Sequence, residues 1–174
     1  GILLGVLISL LLLVYRTSRP HIAVLGRIRN TDYFKNIARF PEETETYPNI
    51  LIIRFDAQLY FGNREYFKKE LQNQLEQKGK ELKFIILNAE AINYIDSSAI
   101  HMLRQLIQEL NSKGIKLLVA GAIGPARDIF YSSGLIDAIG KDNFFVQTNE
   151  AFEHCNPSHE KTAIEDRISL QSKT

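Results

Sequence analysis

Apolar residues run from Ile2 to Val14, broken only by Gly5 and Ser9; short apolar runs of strand length then alternate with amphipathic stretches of helical period. His21 to Ile28 (HIAVLGRI) predicts a strand. Arg29 to Asn49 is polar, with Pro41, Pro48 and an acidic run from Glu42 to Glu45, and is long for a connection. Ile50 to Phe55 (ILIIRF) predicts a second strand, apolar enough to be buried on both faces. Asn63 stands as the cap of a helix to about Lys78, with Phe67, Leu71 and Leu75 on one face and Gly79 as its stop. A third strand follows at Lys83 to Leu87. Ser97 to Ser112 predicts a second helix with Ile100, Leu103, Ile107 and Leu110 toward the core, ended by Gly114. Ile115 to Ala120 is a fourth strand. Gly124-Pro125 opens a third helix, with proline in its first turn, Ile129 and Phe130 inward, and Gly134 closing it. Asn143 to Gln147 predicts a fifth short strand, and Asn149 caps a last helix carrying Ala151 and Phe152.

This alternation predicts an α/β fold: a mixed, mostly parallel sheet of about five strands with flanking helices, parallel after the second strand. No internal repeat is present. The expected organisation is residues 1–18 as an apolar helix end and juxtamembrane segment, 19–155 as one globular domain, and 156–174 as a polar, flexible tail.

The opening run is shorter than the roughly 20 residues of a full membrane span. The chain starts on Gly1, and the run reads as the end of a longer transmembrane helix. A buried core helix is the competing reading. A signal peptide is disfavoured, because Tyr15-Arg16-Thr17-Ser18-Arg19-Pro20 offers no small-residue cleavage site. Tyr15 suits a membrane interface. Arg16, Arg19, Arg27 and Arg29 form a juxtamembrane basic cluster that places the following domain on the cytoplasmic side and offers contacts to anionic lipid. For Arg27 and Arg29 the plainer reading is a pair of solvated strand-end charges.

Net charge is +1, with no arginine-rich block in the globular part, so a nucleic-acid binder is not expected. The single Cys155 excludes an internal disulfide. It adjoins His154, but adjacency in sequence is not triad geometry. The four histidines have no metal-ligand spacing, so no metal is expected. Gly134 to Lys141 lacks the spacing and hydroxyl residue of a phosphate loop, no GxSxG elbow exists, and no nucleophile–base pair can be assembled, so no enzyme is expected. Tyr60-Phe61 and Tyr66-Phe67 read as core or interface aromatics.

The candidate functional residues lie where the third strand hands over to the second helix, at Asp96-Ser97-Ser98. Free N–H groups and the helix dipole converge there. In the structural reading Asp96 is an N-cap contributing roughly 1 kcal/mol. Ile95-Asp96-Ser97-Ser98-Ala99, in this order of elements, resembles the signature of the STAS domain, shared by anti-sigma-factor antagonists and sulfate-permease (SulP) anion transporters. Val24-Leu25-Gly26-Arg27, Asn30-Thr31-Asp32-Tyr33 and the stretch Ile52 to Asn63 (IIRFDAQLYFGN) resemble the permease version. The resemblance covers roughly Arg19 to Phe152. Two departures stand out: Asn88 where an acidic residue is frequent, and Ala99 where soluble antagonists have glycine.

The resemblance implies a STAS-type fold and a cytoplasmic regulatory or structural domain of a multi-pass, secondary active transporter of sulfate or a related anion such as bicarbonate, in the cell inner or plasma membrane. It implies as partners the protein's own upstream membrane domain, membrane lipid, a second copy and a cytoplasmic protein, and no cofactor. By analogy with the soluble relatives, Ser97 first and Ser98 second are candidate phosphorylation sites. The alternative is a membrane-tethered phosphoswitch resembling the anti-sigma antagonists. Nucleotide binding near Asp96 is conceivable by the same analogy, although no residue demands it.

Overall fold

The apolar strand sequences divide between two cores by the period-two alternation of a pleated sheet. In the computed structural model, which describes residues 1–156, Leu51, Ile53 and Phe55 of β4 (Ile50–Phe55) face one side with Ile85 and Leu87 of β5 (Phe84–Asn88) and Leu117 and Val119 of β6 (Lys116–Ala120). Ile50, Ile52, Ile86, Leu118 and Ala120 face the other. The sheet runs β2-β1-β4-β5-β6-β7, with β3 also on β1. Here β1 is Ile22–Ile28, β2 Phe34–Asn36, β3 Thr44–Glu45 and β7 Phe144–Phe145. Pairing is parallel from β4 through β7, and β1 is antiparallel to β4.

The larger core is covered by α2 (Arg64–Lys78), α3 (Ser97–Ser112), α4 (Gly124–Ser132) and α5 (Leu135–Ile139). The opposite face is closed by α6 (Thr148–Cys155), which buries Ala151, Phe152 and Cys155 against β1, β4, β5 and β6. Phe152 packs edge-on to Phe34 at 5.7 Å and tilted on Tyr47 at 4.9 Å.

Several expectations are corrected. Among the described residues there are seven strands, because the polar segment 29–49 supplies β2 and β3, both antiparallel to β1. Asn63 does not cap α2 with its side chain; it accepts from the Tyr60 amide and donates to the Gln58 carbonyl, folding the preceding loop. The buried face of α3 includes Ala99, Met102 and Leu106, while Ile100 lies half-buried at its margin. The cap of α6 is Gln147, in a capping box with Glu150, rather than Asn149.

Glycine is required at position 26 by space. A Cβ there would meet the Glu45 carbonyl oxygen, Ile37 Cγ2 and Thr44 Cβ, each at 2.9 Å. Gly26→Ala therefore has to push β3 off β1, and is expected to destabilise by about 1–3 kcal/mol. A lower denaturant midpoint at unchanged m would show it.

The first helix, α1 (Ile2–Ser18), buries none of its residues. At 17 residues it is about 26 Å long, against about 30 Å of bilayer hydrocarbon. Among the described residues, no helix is long and apolar enough to cross a membrane. The polar tail expected at 156–174 lies outside the described residues after Asn156.

The Asp96 turn as candidate functional site

Residues 56–63 after β4 and 89–96 after β5 are sewn together by backbone bonds. The Leu59 amide donates to the Tyr94 carbonyl at 3.0 Å, and the Asp96 amide to the Leu59 carbonyl at 3.1 Å. Asp96 completes the join. Its Oδ1 accepts from the Ala99 amide at 2.8 Å and the Ser98 hydroxyl at 2.7 Å; its Oδ2 accepts from the Phe61 amide at 2.8 Å. Asp96 is thus the N-cap expected of it, and also a tie to the neighbouring loop that local sequence cannot reveal.

Burial pushes the Asp96 carboxyl upward, but the bonds from Ser98, Ala99 and Phe61 outweigh it and hold the group below the usual carboxylate range. A depressed folded value stabilises the fold above the unfolded value, near 3.9, and the contribution is lost as pH falls through the folded value. Asp96→Asn is expected to flatten this acid limb. Chemical denaturation from pH 5 down to pH 2 checks it; an unchanged pH profile would count against the assignment.

The two serines separate clearly. The Ser98 hydroxyl is committed to Asp96, whereas Ser97 is exposed on the first turn of α3. Arg64 Nη1 approaches the Ser98 carbonyl at 3.4 Å. A group added at Ser97 would find the positive end of a 16-residue helix, with the Asp96 carboxylate beside it.

Asn88 is buried at the end of β5. Its Nδ2 donates to Thr148 Oγ1 at 3.0 Å and its Oδ1 accepts from the Glu90 amide at 3.2 Å, so this residue fastens the start of α6. The neutral amide both donates and accepts, where an ionised carboxylate only accepts.

The four arginines do not form one patch, correcting the expected cluster. Arg16 lies in the last turn of α1, and the Arg19 guanidinium stacks 5.0 Å from the Tyr15 ring. Arg29 is beyond the far end of β1, about 23 Å of strand away, paired with Glu45 at 3.1 Å. Arg27 is only 7% exposed and serves neither lipid nor solvent. It bridges Glu153 at 3.1 Å and Asp32 at 3.2 Å, donates from Nε to the Thr31 carbonyl at 2.7 Å, and lies over the Phe152 ring. Its position five residues into an otherwise apolar strand was the available signal; its acidic partners are 5 and 126 residues away.

A second charged group, missed in the sequence, marks the junction with α1. Asp56 Oδ1 accepts from Arg54 Nε at 2.6 Å, Asp56 Oδ2 meets His21 Nδ1 at 2.8 Å, and the Asp56 amide donates to the His21 carbonyl. Burial raises the Asp56 carboxyl, but Arg54 and His21 prevail and hold it low. Cys155 is buried, which pushes its thiol up to about 12 and leaves it a packing residue rather than a nucleophile. Among the described residues no group of His, Cys, Asp and Glu could hold a metal ion.

Comparison with known proteins places this geometry. Residues 42–151 match the family model of the STAS domain. The chain is 34% identical over 179 residues to "Sulfate transporter 4.1, chloroplastic" of Arabidopsis thaliana, covering 96% of this chain and 26% of that one. It spans about a quarter of the length of the curated relatives it matches. In fold it is similar to the murine Slc26a9 anion transporter in the inward-facing state, with a TM-score of 0.77 at 19% identity over 90% of this chain and 26% of the other. The SulP transporter STAS domain from Vibrio cholerae aligns with a TM-score of 0.51 at 18% identity, over 72% of this chain and 94% of that one. With the Asp96-capped turn, the sheet order and a family match over more than half of its length, the chain belongs to the STAS domain family.

Proposed function

We propose that this chain is the regulatory and structural STAS part of a larger secondary active anion transporter, with sulfate as the foremost substrate of the whole protein. The observation that carries the reading is a similarity to a sulfate transporter that covers 96% of the chain, so that it reaches into the apolar α1 as well as the domain. On this reading α1 is the end of a membrane span, the domain of residues 19–155 follows it on the cytoplasmic side, and transport takes place in a membrane part upstream. The domain itself catalyses no reaction; it supports folding, assembly and regulation of that part, with a second copy and a cytoplasmic protein as further partners.

An antibody raised to residues 20–155, applied to separated membrane and soluble fractions of the native source, tests the proposal. A band several times heavier than 19.9 kDa, confined to the membrane fraction, supports it. A band near 19.9 kDa in the soluble fraction overturns it.

A second reading, a phosphoswitch at Ser97, is favoured by one observation: its hydroxyl is exposed while that of Ser98 is bound to Asp96. Phosphopeptide mass spectrometry finding only unmodified Ser97 would remove it.

A further inference from the structure

Among the described residues outside α1, six large apolar side chains are exposed: Tyr33, Phe61, Tyr94, Ile123, Tyr131 and Val146. Four of them stand in the segments that follow the parallel strands. Phe61 (73% exposed) comes after β4, Tyr94 (50%) after β5, Ile123 (42%) after β6 and Val146 (77%) after β7. Register fixes them to one edge, since Arg54, Asn88, Ala120 and Phe145 are successive partners across the sheet. Phe61 and Tyr94 are neighbours, because their loops are joined through Leu59 and Asp96.

The same edge receives α1. Ile22 pairs with Phe55, so β1 starts where β4 ends. Only Arg19, Pro20 and His21 separate Ser18 of α1 from that point, about 10 Å at full stretch. His21 is held there by Asp56. Acidic groups along the edge are largely answered: Asp56 by Arg54 and His21, Glu65 by Arg64, Glu150 by the Val146 and Gln147 amides. Glu90 stays exposed beside them. A surface with exposed aromatic and aliphatic tips, whose carboxylates are mostly ion-paired or hydrogen-bonded, fits the headgroup layer of zwitterionic lipid, where aromatic side chains partition favourably.

We infer that the edge formed by Phe61, Tyr94, Ile123 and Val146 rests in the lipid headgroup layer of the membrane that holds α1. The inference rests on the proposal that α1 lies in a membrane. The chain contains no tryptophan, so a single introduced one is a clean reporter. The 174-residue chain is reconstituted into phosphatidylcholine vesicles with and without brominated lipid. The variants are Phe61→Trp, Val146→Trp, Leu12→Trp within α1, and Tyr33→Trp on the opposite edge.

The inference expects emission from positions 61, 146 and 12 to be quenched by brominated lipid, and emission from position 33 to be unaffected. Quenching at 12 with none at 61 and 146 overturns the edge contact and leaves the membrane reading of α1 standing. No quenching at any of these positions overturns both. A concentration-dependent blue shift at 61 and 146 without lipid quenching assigns the edge to a second copy instead, and likewise overturns the inference.

Discussion

Arg27→Ala is expected to lower the unfolding free energy by about 3–5 kcal/mol, toward the lower end because Asp32 remains solvated. The loss has three parts. Glu153 loses its cation while 22% exposed, and its Oε2 already has no hydrogen-bond partner. The Thr31 carbonyl loses the donor that closes the β1–β2 turn. Phe152, fully buried, loses the guanidinium packed on its ring. The first and third losses fall on the docking of α6, so the variant should expose the Cys155 thiol to alkylation under native conditions. Arg27→Met combined with Glu153→Leu removes both charges and is expected to recover most of the stability, because a buried pair replaced by apolar groups of similar volume is often neutral. If the single variant costs less than about 1 kcal/mol in urea denaturation, Arg27 is a surface charge and the packing described is wrong.

Removal of residues 1–18 is expected to release the chain from membranes. Eleven Leu, Ile and Val residues in α1, at about 0.3–0.6 kcal/mol each, give roughly 3–7 kcal/mol, or two to five powers of ten in partitioning. None of these residues contacts the folded core, so their loss leaves both hydrophobic clusters intact. Vesicle co-sedimentation of the two forms, with circular dichroism of the shortened chain, checks both halves. A shortened chain that still sediments with vesicles would move the membrane attachment elsewhere; one that unfolds would show α1 to be part of the domain.

The sequence was most legible where one residue type serves one purpose. The runs ILIIRF and FIILN alternate between two buried faces and have no other use, so they reveal the central sheet. Gly79, Gly114 and Gly134 mark helix ends because the backbone there turns to positive φ. The Asp96 cap was legible because its partner Ala99 is three residues on. What remained hidden depends on distant partners. β2 and β3 consist of FKN and TE, without apolar periodicity, and become strands because β1 offers them an edge. Arg27 read as one of a basic cluster because Glu153 and Phe152 are far away in the chain. His21 and Asp56 are 35 residues apart, and only the antiparallel register of β1 on β4 brings them together. In sequence only the resemblance to soluble relatives ranks Ser97 ahead of Ser98; the bond from Ser98 to Asp96 is the physical difference between them.

Radiolabelled sulfate uptake is the most direct test of the functional account, measured in proteoliposomes holding the full-length gene product and, in parallel, the same protein lacking residues 19–155 of this chain. The account predicts saturable sulfate uptake by the complete protein, competed by related inorganic anions and strongly reduced when the domain is missing. A complete protein that is folded and inserted, yet moves no sulfate or other inorganic anion, would contradict it.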